Sequence, residues 1–505
     1  MLLAELLCGT DAVLDDELAS LEISGVSYDT RRLDQGNVFV ALCGTKTDGS
    51  RYALDAEKKG AVLYIGEKSI AGLKIPQLLT SNARRTLSVA CANYYGNPQN
   101  ELRIIGVTGT NGKTSTAFML KNILANDGYK TALIGTVKCM IGEEEYVPDL
   151  SESSKENLCT MTTPDPDVLY MLMRDMVDAG VEILVMEVSS HALALEKIAP
   201  VKFEIGIFTN LSEEHLDFHQ SMSEYLAAKA KLFNQSKLAV INADDPYAAD
   251  LEKMFSCRRI HFGIQKRNGY FADRIVIKGA EGSEYILHSE NSRFKIKTVI
   301  PGKFTLYNTL AAAVTARELG VNLVTVQNAI YSMNGVCGRL ERIKLGFGGT
   351  GISVFIDYAH TPFALENLLK CVNGFKSNGQ RIVTLFGCGG DRDKEKRGAM
   401  GKIAVEMSDL VIITSDNSRS EEPSAIIEDI LKGVGIAENY IVIKNRREAI
   451  EYAIENAVAG DIVLLVGKGH EQYEIDKDGI HAFSEVEIAE KAAEKRRIYL
   501  RGGAI

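Results

Sequence analysis

Residues 106 to 116 read Gly106-Val-Thr-Gly-Thr-Asn-Gly-Lys-Thr-Ser-Thr116, a composition typical of loops that bind nucleotide phosphates. They follow the strand-like run Leu102-Arg-Ile-Ile105 and precede a stretch with helical spacing. Backbone N–H groups freed by the glycines, with a lysine and a hydroxyl, can surround a polyphosphate and its Mg²⁺. The strict Walker pattern requires a glycine five residues before Gly112, and Val107 stands at that position, so the pattern is incomplete. The loop indicates ATP binding without specifying a reaction.

Composition narrows the class of protein. The 505 residues are 46% hydrophobic and 25% charged, which is ordinary for globular chains and sufficient for several cores, so we expect three domains. A net charge of −10 disfavours non-specific nucleic-acid binding, which depends on Lys and Arg neutralising phosphates. The nine cysteines include no CxxC pair, which favours reduced thiols over disulfides or zinc.

No targeting or membrane segment is predicted. The opening Met1-Leu-Leu-Ala-Glu-Leu-Leu7 has no basic leader and carries a charge within its apolar stretch. No later run is long and apolar enough to cross a bilayer. We therefore expect a cytoplasmic protein that neither spans a membrane nor binds nucleic acid.

The first two thirds of the chain alternate strand-like and helix-like runs, the pattern of α/β folds. A small unit occupies the first hundred residues. The larger unit that follows predicts a mostly parallel sheet, with a helix from Lys113 to Asp127. Residues 257–300 alternate more densely, as antiparallel strands do, before a helix predicted over 308–318. The other predicted strands are 38–42, 61–65, 183–186, 205–208 and 238–241.

A third unit after Gly338 repeats the alternation. Its predicted strands are 354–356, 382–386, 410–413 and 462–466. Each is followed by a polar or glycine-rich segment: Asp357-Tyr-Ala-His360, Gly387-Cys-Gly-Gly-Asp-Arg392, Ser415-Asp-Asn-Ser-Arg419 and Gly467-Lys-Gly-His-Glu471. Because open α/β sheets bind ligands outside the carboxyl ends of their strands, we expect these segments to converge on a binding site.

Acidic and imidazole side chains follow two neighbouring strands of the central unit. They lie in Glu187-Val-Ser-Ser-His191 and in Asn210-Leu-Ser-Glu-Glu-His215-Leu-Asp-Phe-His219. Carboxylate is the natural ligand for Mg²⁺, so this edge suits a magnesium site beside the phosphate loop. His191 taken alone fits a structural histidine equally well. The lysines of the helical stretch 225–233 are by themselves compatible with a solvated face.

Taken together, these motifs resemble those of the Mur ligases. The resemblance runs in family order from about Ser27 to the last strands. It is carried by Gly109 to Thr116, Met186 to Leu193, Thr209 to His219, Tyr307-Asn308 with Ala311 to Ala313, Gly338 to Glu341, Asp357 to Pro362, Phe386 to Asp393, Asp416 to Arg419 and Gly467 to Glu471. The last three narrow it to the branch that adds the third residue of the peptide.

The resemblance implies an α/β protein of three domains. Residues 1–98 would form a small α/β domain that binds the UDP-linked substrate. Residues 99–336 would form the central ATP-binding domain, a P-loop-type, mostly parallel sheet with helices on both faces. Residues 337–505 would form a Rossmann-like α/β domain that binds the amino acid. A monomer is expected.

The resemblance also implies the reaction. ATP would phosphorylate the γ-carboxylate of UDP-N-acetylmuramoyl-L-alanyl-D-glutamate, and an incoming amine would displace the phosphate, leaving an amide and ADP. Phosphorylation supplies a leaving group that a free carboxylate lacks, and positive charge must stabilise the phosphate oxygens. The residues implied to contact ATP are Gly109, Thr110, Asn111, Gly112, Lys113, Thr114, Ser115, Asn308, Arg339 and Asp357.

Two Mg²⁺ sites follow from the same resemblance. Thr114 and Glu187 would hold one ion and His215 the second. Lys229 corresponds to the lysine that carries a carbamate in this family, which turns a cation into an anionic metal ligand. Carbamylation requires an uncharged amine, so Lys229 should be desolvated. The catalytic set implied is Lys113, Glu187, His215 and Lys229; Lys231 fits the motif less well.

Contacts to the uridine and muramoyl groups are implied for two regions. The residues are Tyr28, Thr30, Thr45, Lys46 and Thr47 from the first domain and Thr162, Thr163, Ser189 and Lys197 from the central domain. Leu195 and Lys197 stand where family members often have Gln and Arg.

The amino acid added is expected to be meso-2,6-diaminopimelate. The implied binding residues are Arg392, Asp416, Asn417, Ser418, Arg419, Gly467 and Glu471. Two arginines and two acids suit a diamino diacid, because guanidinium groups hold carboxylates and acids hold ammonium groups. Lysine lacks the distal carboxylate and would leave Arg419 unpaired at roughly 3–5 kcal/mol. Ser418 replaces the usual proline of this motif, which relaxes the backbone before Arg419.

Several alternatives remain at this point. Arg419 could be an ordinary surface arginine. The enzyme could add L-lysine or ornithine instead of diaminopimelate. A folylpolyglutamate synthase shares the central fold and the acyl-phosphate chemistry, although the first domain and the motif from Asp416 to Arg419 disfavour it. A catalytically silent paralogue is disfavoured by the intact catalytic set.

Overall fold

The computed structural model describes residues 1–44, 47–148, 161–289, 292–333, 335–336, 338–343, 345 and 351–502. The chain divides into two compact units. The first comprises Met1–Phe271 with Ala311–Asn322, and the second comprises Ala272–Leu310 with Leu323–Ile505. No helix within the described ranges is long and apolar enough to cross a membrane.

The helices are α1 Leu3–Leu6, α2 Asp16–Ala19, α3 Ala53–Lys58, α4 Ala83–Tyr94, α5 Lys113–Asn126, α6 Pro166–Asp178, α7 Ser190–Ala194, α8 Leu216–His219, α9 Met222–Asn234, α10 Ala248–Leu251, α11 Lys303–Glu318, α12 Leu323–Ser332, α13 Pro362–Phe375, α14 Glu395–Met407, α15 Pro423–Val434, α16 Arg446–Glu455 and α17 Glu485–Gly502. Short 3-10 turns occupy Thr30–Arg32, Gly49–Tyr52, Pro98–Asn100, Glu252–Met254 and Gly279–Glu281.

The strands are β1 Gly25–Ser27, β2 Asn37–Val40, β3 Leu63–Gly66, β4 Gln77–Leu79, β5 Arg103–Thr108, β6 Thr131–Ile134, β7 Cys139–Ile141, β8 Glu144–Glu145, β9 Ile183–Glu187, β10 Phe203–Phe208, β11 Ser236–Asn242, β12 Arg258–Gly263, β13 Tyr270–Ile277, β14 Ser283–His288, β15 Arg293–Thr298, β16 Glu341–Arg342, β17 Ser353–Asp357, β18 Ile382–Phe386, β19 Leu410–Ile413, β20 Tyr440–Val442, β21 Ile462–Val466, β22 Tyr473–Asp476 and β23 Gly479–Ala482.

The first unit contains two sheets. A small parallel sheet runs in the order β1-β2-β3-β4. In the larger sheet β12, β11, β10, β5, β9 and β6 lie side by side and parallel, and β7 and β8 continue it antiparallel. The register pairs Val107 with Glu187 and Thr108 with Phe208. The segments after β9 and β10 therefore begin on either side of the phosphate loop.

Strand β5 is packed closely by a helix. A Cβ added at Gly106 would lie 2.8 Å from a Leu232 methyl and 2.9 Å from the Phe203 ring. Glycine at this position lets α9 approach the sheet. The approach brings Tyr225 and Lys229, both on α9 and both buried, next to the phosphate loop.

The second unit is built on a sheet in the order β16-β17-β21-β18-β19-β20. Strands β17, β21, β18, β19 and β20 are parallel to their neighbours. Phe355 packs into the core cluster on one face, whereas Val354 and Ile356 pack into the cluster on the other. Because alternate side chains point to opposite faces and both faces are buried, the strands read as continuous apolar runs. The carboxyl ends of β17, β21, β18 and β19 lie along one edge.

The α/β class and the positions of the strands proposed from the sequence are confirmed. Within residues 257–300, β14 and β15 are antiparallel as expected, whereas β12 pairs parallel with β11 and β13. The predicted helix over 308–318 begins earlier, at Lys303, because apolar residues such as Leu306 extend the buried face by one turn. The domain boundaries at 98/99 and 336/337 stay predictions.

Candidate functional site

The phosphate loop of the first unit is held by the segment after β10. Thr110 N donates to the Asn210 carbonyl at 2.9 Å, and Asn111 N donates to Asn210 Oδ1 at 2.9 Å. Thr209 Oγ1 donates to the Asn111 carbonyl at 2.6 Å. Gly109 has a φ of 152°, and a Cβ there would lie 1.9 Å from Thr209 Oγ1. Glycine is thus required for the loop to approach its neighbour.

Two lysines meet at one carbonyl oxygen of this loop. Lys113 Nζ donates to the Gly109 carbonyl at 3.0 Å and to the Thr110 carbonyl at 2.9 Å. Lys229 Nζ donates to the same Gly109 oxygen at 2.9 Å and lies 4.4 Å from the centre of the Tyr225 ring. Lys229 is 1% exposed, and burial holds the pKa of its amine well below the usual range, with the Lys113 charge adding to the depression. The lowered pKa favours the uncharged form of the amine beside the loop.

Glu187 is fully buried and has neutral donors on both oxygens. Thr136 N donates to Oε1 at 2.9 Å, while Thr114 Oγ1 and Thr136 Oγ1 each donate to Oε2 at 3.0 Å. A Cβ added at Gly135 would lie 2.4 Å from Oε1. A buried carboxylate and a hydroxyl in contact are hard oxygen ligands, so Thr114 and Glu187 fit a Mg²⁺ ion. Thr136 was not identified from the sequence, since an isolated threonine after a strand carries no signal.

Aromatic and imidazole rings cluster beside this loop. The His215 side chain is 43% exposed and its backbone is left-handed at a φ of 58°. Its ring centre lies 4.8 Å from that of His191 and 6.2 Å from that of Tyr225. The buried His219 pairs its Nε2 with Ser190 Oγ at 2.8 Å. His215 is the most exposed of these three imidazoles, since His191 is half-buried and His219 is buried.

Lys231 lies apart from the loop. Its Nζ donates to Glu196 Oε1 at 2.7 Å and to the Leu193 carbonyl at 3.2 Å, and 44% of its side chain is exposed. The geometry therefore favours Lys229 over Lys231 as the lysine that acts at the loop.

Residues expected to bind the UDP-linked substrate meet at an acid that the sequence did not reveal. Tyr28 Oη donates to Asp165 Oδ2 at 2.8 Å, and Lys197 Nζ lies 2.7 Å from Asp165 Oδ1. Nearby, Thr163 Oγ1 donates to the Glu187 carbonyl at 3.0 Å and to Ser189 Oγ at 3.4 Å. These contacts join the small sheet to the central one. Asp165 is 137 residues from Tyr28, so no local pattern could pair them.

The remaining predicted substrate contacts are more scattered. Thr162 Oγ1 accepts a hydrogen bond from Thr136 Oγ1 at 3.0 Å, which places it beside Glu187. The buried Thr30 has its carbonyl bound by Lys59 Nζ at 2.9 Å, and Thr47 is exposed. Thr45 and Lys46 lie outside the described residues.

Ser115, which is predicted to contact ATP, follows Thr114 in the first turn of α5.

The strand-end segments of the second unit converge as expected. Gly467 N donates to the Asp357 carbonyl at 3.0 Å, and Gly390 N donates to the Asn417 carbonyl at 2.9 Å. Asn417 Nδ2 donates to Glu471 Oε2 at 2.7 Å. Three hydrogen bonds thus tie the four segments into one polar surface at the sheet edge.

Asp416 and Glu471 form the acidic part of this surface. Asp416 is 9% exposed and lies between two buried cations, with Arg446 Nη1 3.8 Å from Oδ2 and Lys468 Nζ 3.9 Å from Oδ1. Burial raises the pKa of the Glu471 carboxyl, Asp416 adds to the rise, and Lys468 opposes it. Lys468 and Arg446 were not singled out from the sequence.

Arg419 and Arg392 flank a common glycine. Arg419 has a left-handed φ of 51° and donates from Nη1 to the Gly390 carbonyl at 2.9 Å. A Cβ added at Gly389 would lie 3.0 Å from Arg419 Nη1 and 3.9 Å from Arg392 Cγ. Ser418 is buried beneath them. Arg419 is half-buried and hydrogen-bonded to the segment after β18, and its role in binding the amino acid stays a prediction.

Asp357 and Arg339 influence each other electrostatically in this unit. Asp357 accepts from Leu340 N at 2.7 Å and from Ala359 N at 2.9 Å. Burial raises the pKa of the Asp357 carboxyl, and the Arg339 charge opposes the rise. Arg339 lies 5.7 Å from the centre of the Tyr358 ring. Asn308 lies on α11 and is 9% exposed.

Comparison with known proteins matches three family models. The Mur ligase middle domain matches residues 107–316, the glutamate ligase domain of Mur ligases matches 338–469, and the catalytic domain of the Mur ligase family matches 22–90. The matched ranges contain the phosphate loop from Val107 onward, three of the strand-end segments of the second unit with the first part of the fourth, and Tyr28.

Relatives of similar length share well over a third of their residues with the chain. The UDP-N-acetylmuramoyl-L-alanyl-D-glutamate--2,6-diaminopimelate ligase of Clostridium perfringens is 40% identical over 497 residues, covering 97% of this chain and 98% of the relative. The enzyme of the same name from Clostridium tetani is 38% identical over 479 residues, covering 94% and 96%. A solved structure of a ligase with this name has a TM-score of 0.68 and 29% identity, covering 96% of this chain and 97% of its own.

Proposed function

The chain belongs to the Mur ligase family, and from that premise we propose that it is the ligase that adds meso-2,6-diaminopimelate to UDP-N-acetylmuramoyl-L-alanyl-D-glutamate. ATP drives the reaction and leaves as ADP and phosphate. The observation that carries the proposal is the buried Lys229 amine beside Lys113 on the Gly109 carbonyl. The Gly109 carbonyl belongs to the phosphate loop. The relatives that match nearly the whole chain are named for this activity.

The first step forms an acyl phosphate. An oxygen of the substrate γ-carboxylate attacks the γ-phosphorus of ATP, and the bond to the β–γ bridging oxygen breaks. Backbone N–H groups of the loop and the Lys113 ammonium hold the phosphates and stabilise the charge that develops on them. The amine of the incoming amino acid then attacks the acyl carbon, loses a proton, and phosphate leaves with the carboxylate oxygen.

Magnesium binding is proposed at two places. Thr114 and Glu187 would hold one ion and His215 with a carbamylated Lys229 the other; bound Mg²⁺ supplies charge neutralisation for the phosphates. Thr136 orients the Glu187 carboxylate through two of its three hydrogen bonds. Lys229 suits carbamylation because a desolvated, neutral amine is the form that reacts with CO₂.

The UDP-linked substrate is assigned to the Tyr28–Asp165–Lys197 cluster. Asp165 fixes the Tyr28 hydroxyl and the Lys197 ammonium, which leaves the remaining donors of Lys197 for a phosphate or sugar oxygen. The Lys197 ammonium is a point charge, whereas an arginine would offer two parallel N–H donors. We therefore expect Lys197 to recognise the charge of the substrate group more than its geometry. Thr163 and Ser189 line the same region.

The amino acid is assigned to the strand-end surface of the second unit. Asp416, Asn417 and Glu471 suit its ammonium group, and Arg392 with Arg419 suit carboxylates. The carbonyls of Gly390 and Asn417 both accept from Nη1 of Arg419, and a carboxylate suits the Nε and Nη2 side of the guanidinium. We place the reaction in the cytoplasm, where ATP and the UDP-linked precursor are found, and expect a monomer.

Rival functions differ in the substrate they require. A lysine- or ornithine-adding ligase keeps the same UDP-dipeptide, whereas a folylpolyglutamate synthase does not use it. A silent paralogue would bind nucleotide without releasing phosphate. The full-length match to ligases named for 2,6-diaminopimelate favours the proposed substrate.

An oxygen-transfer experiment tests the reaction. UDP-N-acetylmuramoyl-L-alanyl-D-glutamate labelled with ¹⁸O in the γ-carboxylate is incubated with ATP, Mg²⁺ and meso-diaminopimelate. We expect one ¹⁸O atom in each phosphate released, because the carboxylate oxygen leaves with the phosphoryl group. Phosphate without label would rule out the acyl-phosphate route, and no phosphate release with this substrate would point to a folate-type ligase or a silent paralogue.

A further inference from the structure

Lys468 is fully buried and lies two residues after the end of β21, in one of the strand-end segments proposed to bind the amino acid. Its Nζ donates to Asn417 Oδ1 at 2.7 Å and to the Tyr473 carbonyl at 2.9 Å. The same nitrogen lies 3.9 Å from Asp416 Oδ1. A buried ammonium is retained in a fold only where its acceptors are provided, and here Asn417 of a strand-end segment and Tyr473 of β22 provide them.

The two glycines beside Lys468 allow it to turn inward. Gly467 and Gly469 have φ values of 117° and 57°. A Cβ added at Gly467 would lie 2.7 Å from Asp416 Oδ2, and one added at Gly469 would lie 2.6 Å from Tyr358 Cβ. The backbone therefore passes between these two side chains, and the Lys468 side chain enters the space under the surface.

Lys468 fixes the orientation of the Asn417 amide. Asn417 Oδ1 accepts from Lys468 Nζ and from Ile475 N at 3.0 Å, so the opposite side of the amide presents its Nδ2. That Nδ2 donates to Glu471 Oε2 at 2.7 Å. Because two donors face Oδ1 and a carboxylate faces Nδ2, the Asn417 amide has one favourable orientation.

We propose that Lys468 is the positioning residue of the amino-acid site, acting through Asn417 to place the Glu471 carboxylate. The inference rests on the proposed function and deepens it. The same Lys468 nitrogen lies 3.9 Å from Asp416 Oδ1, so this side chain contacts two residues of the proposed amino-acid site. Replacing Lys468 would remove one of the two donors to Asn417 Oδ1 and leave the Tyr473 carbonyl without this partner.

The test compares KM values for the three substrates in Lys468→Met, which keeps the apolar stem and removes the ammonium. We expect the KM for diaminopimelate to rise about 10- to 100-fold, the range for losing a hydrogen bond to a charged group, while the KM values for ATP and the UDP-dipeptide change less than about 3-fold. Lys444→Met is the matched control, because the Lys444 ion pair with Glu422 is exposed on both sides.

Two further variants separate positioning from folding. Lys468→Arg keeps a charged donor, so its KM for diaminopimelate should stay close to that of the wild type. Melting curves show whether each variant is folded. In a Glu471→Gln background, Lys468→Met should have a smaller effect on the diaminopimelate KM, because the group it positions has changed. A purely structural role would give the same effect in both backgrounds.

The outcomes are distinguishable. Equal rises in all three KM values, or an unchanged diaminopimelate KM in folded Lys468→Met, would overturn the inference. If Lys468→Met does not fold, equal rises in all three KM values in Lys468→Arg would overturn it. Failure of the proposed function would instead appear in the wild-type enzyme, as no phosphate release with diaminopimelate.

Discussion

At the scale of single residues, the main feature of the phosphate loop is that two lysine amines contact one backbone carbonyl oxygen. Lys113 belongs to the loop, whereas Lys229 reaches the Gly109 carbonyl from α9, 120 residues away. Burial keeps the pKa of Lys229 low, so the two side chains need not both be charged. We propose a different role for each: Lys113 supplies charge to phosphate, and Lys229 supplies a reactive amine.

Removing Lys229 tests the carbamate directly. We expect Lys229→Ala to lower kcat more than about 100-fold, beyond the range for residues that only orient a metal ligand, and added acetate or formate to restore part of the activity. The measurement is phosphate release with all three substrates. Lys231→Ala is the control, since Lys231 is half-exposed and pairs with Glu196. Full activity in Lys229→Ala would exclude the carbamate.

Thr136 offers a second test at the residue scale. Thr136→Val removes the hydroxyl that donates to Glu187 Oε2 and keeps the backbone N–H that donates to Oε1. We expect Mg²⁺-dependent ATP binding, measured by calorimetry without the other substrates, to need about 10-fold more Mg²⁺. Thr136→Ser should bind like the wild type. Identical Mg²⁺ dependence in Thr136→Val would show that the hydroxyl does not orient Glu187.

Arg419 reports on the choice of amino acid. Arg419→Lys keeps the charge but loses the fork, so the KM for diaminopimelate should rise about 10-fold or more while the KM for ATP stays nearly constant. Steady-state kinetics at saturating co-substrates provide both values. Parallel rises would remove Arg419 from the amino-acid site.

At the scale of elements, parallel strands bring their ends to one edge, and this much was predictable. Apolar runs such as Ile382–Phe386 and Ile462–Val466 identified the strands, and the rule for open sheets placed their following segments together. What the sequence could not supply were contacts between distant segments. Asp165 and Thr136 lie in no motif, and their importance comes from tertiary pairing with Tyr28 and Glu187.

A buried ion pair joins two helices behind the amino-acid surface. Arg446 on α16 donates from Nε to Glu485 Oε1 on α17 at 2.9 Å, and its other nitrogens bind the Ser415 and Val466 carbonyls at two strand ends. Both side chains are almost fully buried. The pair therefore couples the helices to the ends of two strands.

Breaking this pair should destabilise the second unit. We expect Glu485→Gln to lower the free energy of unfolding by about 3 kcal/mol, because it leaves the Arg446 charge without its closest partner. Urea unfolding measures the change. Glu487→Gln, which removes one side of an exposed pair with Lys491, should change it by less than about 0.5 kcal/mol. Equal effects of the two substitutions would contradict the structural role of the buried pair.

At the scale of the whole molecule, each unit carries its own recognition chemistry. The first holds the phosphate loop and the Tyr28–Asp165–Lys197 cluster, and the second holds the strand-end surface with Asp416, Glu471 and Arg419. The near full-length match to diaminopimelate ligases supports the proposal that both sets belong to one activity. The whole-chain prediction is therefore about which amino acid is joined to the UDP-dipeptide.

Competition between amino acids tests this central claim most directly. The wild-type enzyme is given ATP, Mg²⁺ and UDP-N-acetylmuramoyl-L-alanyl-D-glutamate with equal concentrations of meso-2,6-diaminopimelate, L-lysine and L-ornithine, and the tripeptide products are separated by mass. We predict that the diaminopimelate product dominates, because only this substrate offers a distal carboxylate to Arg419. A predominance of the lysine or ornithine product would contradict the account.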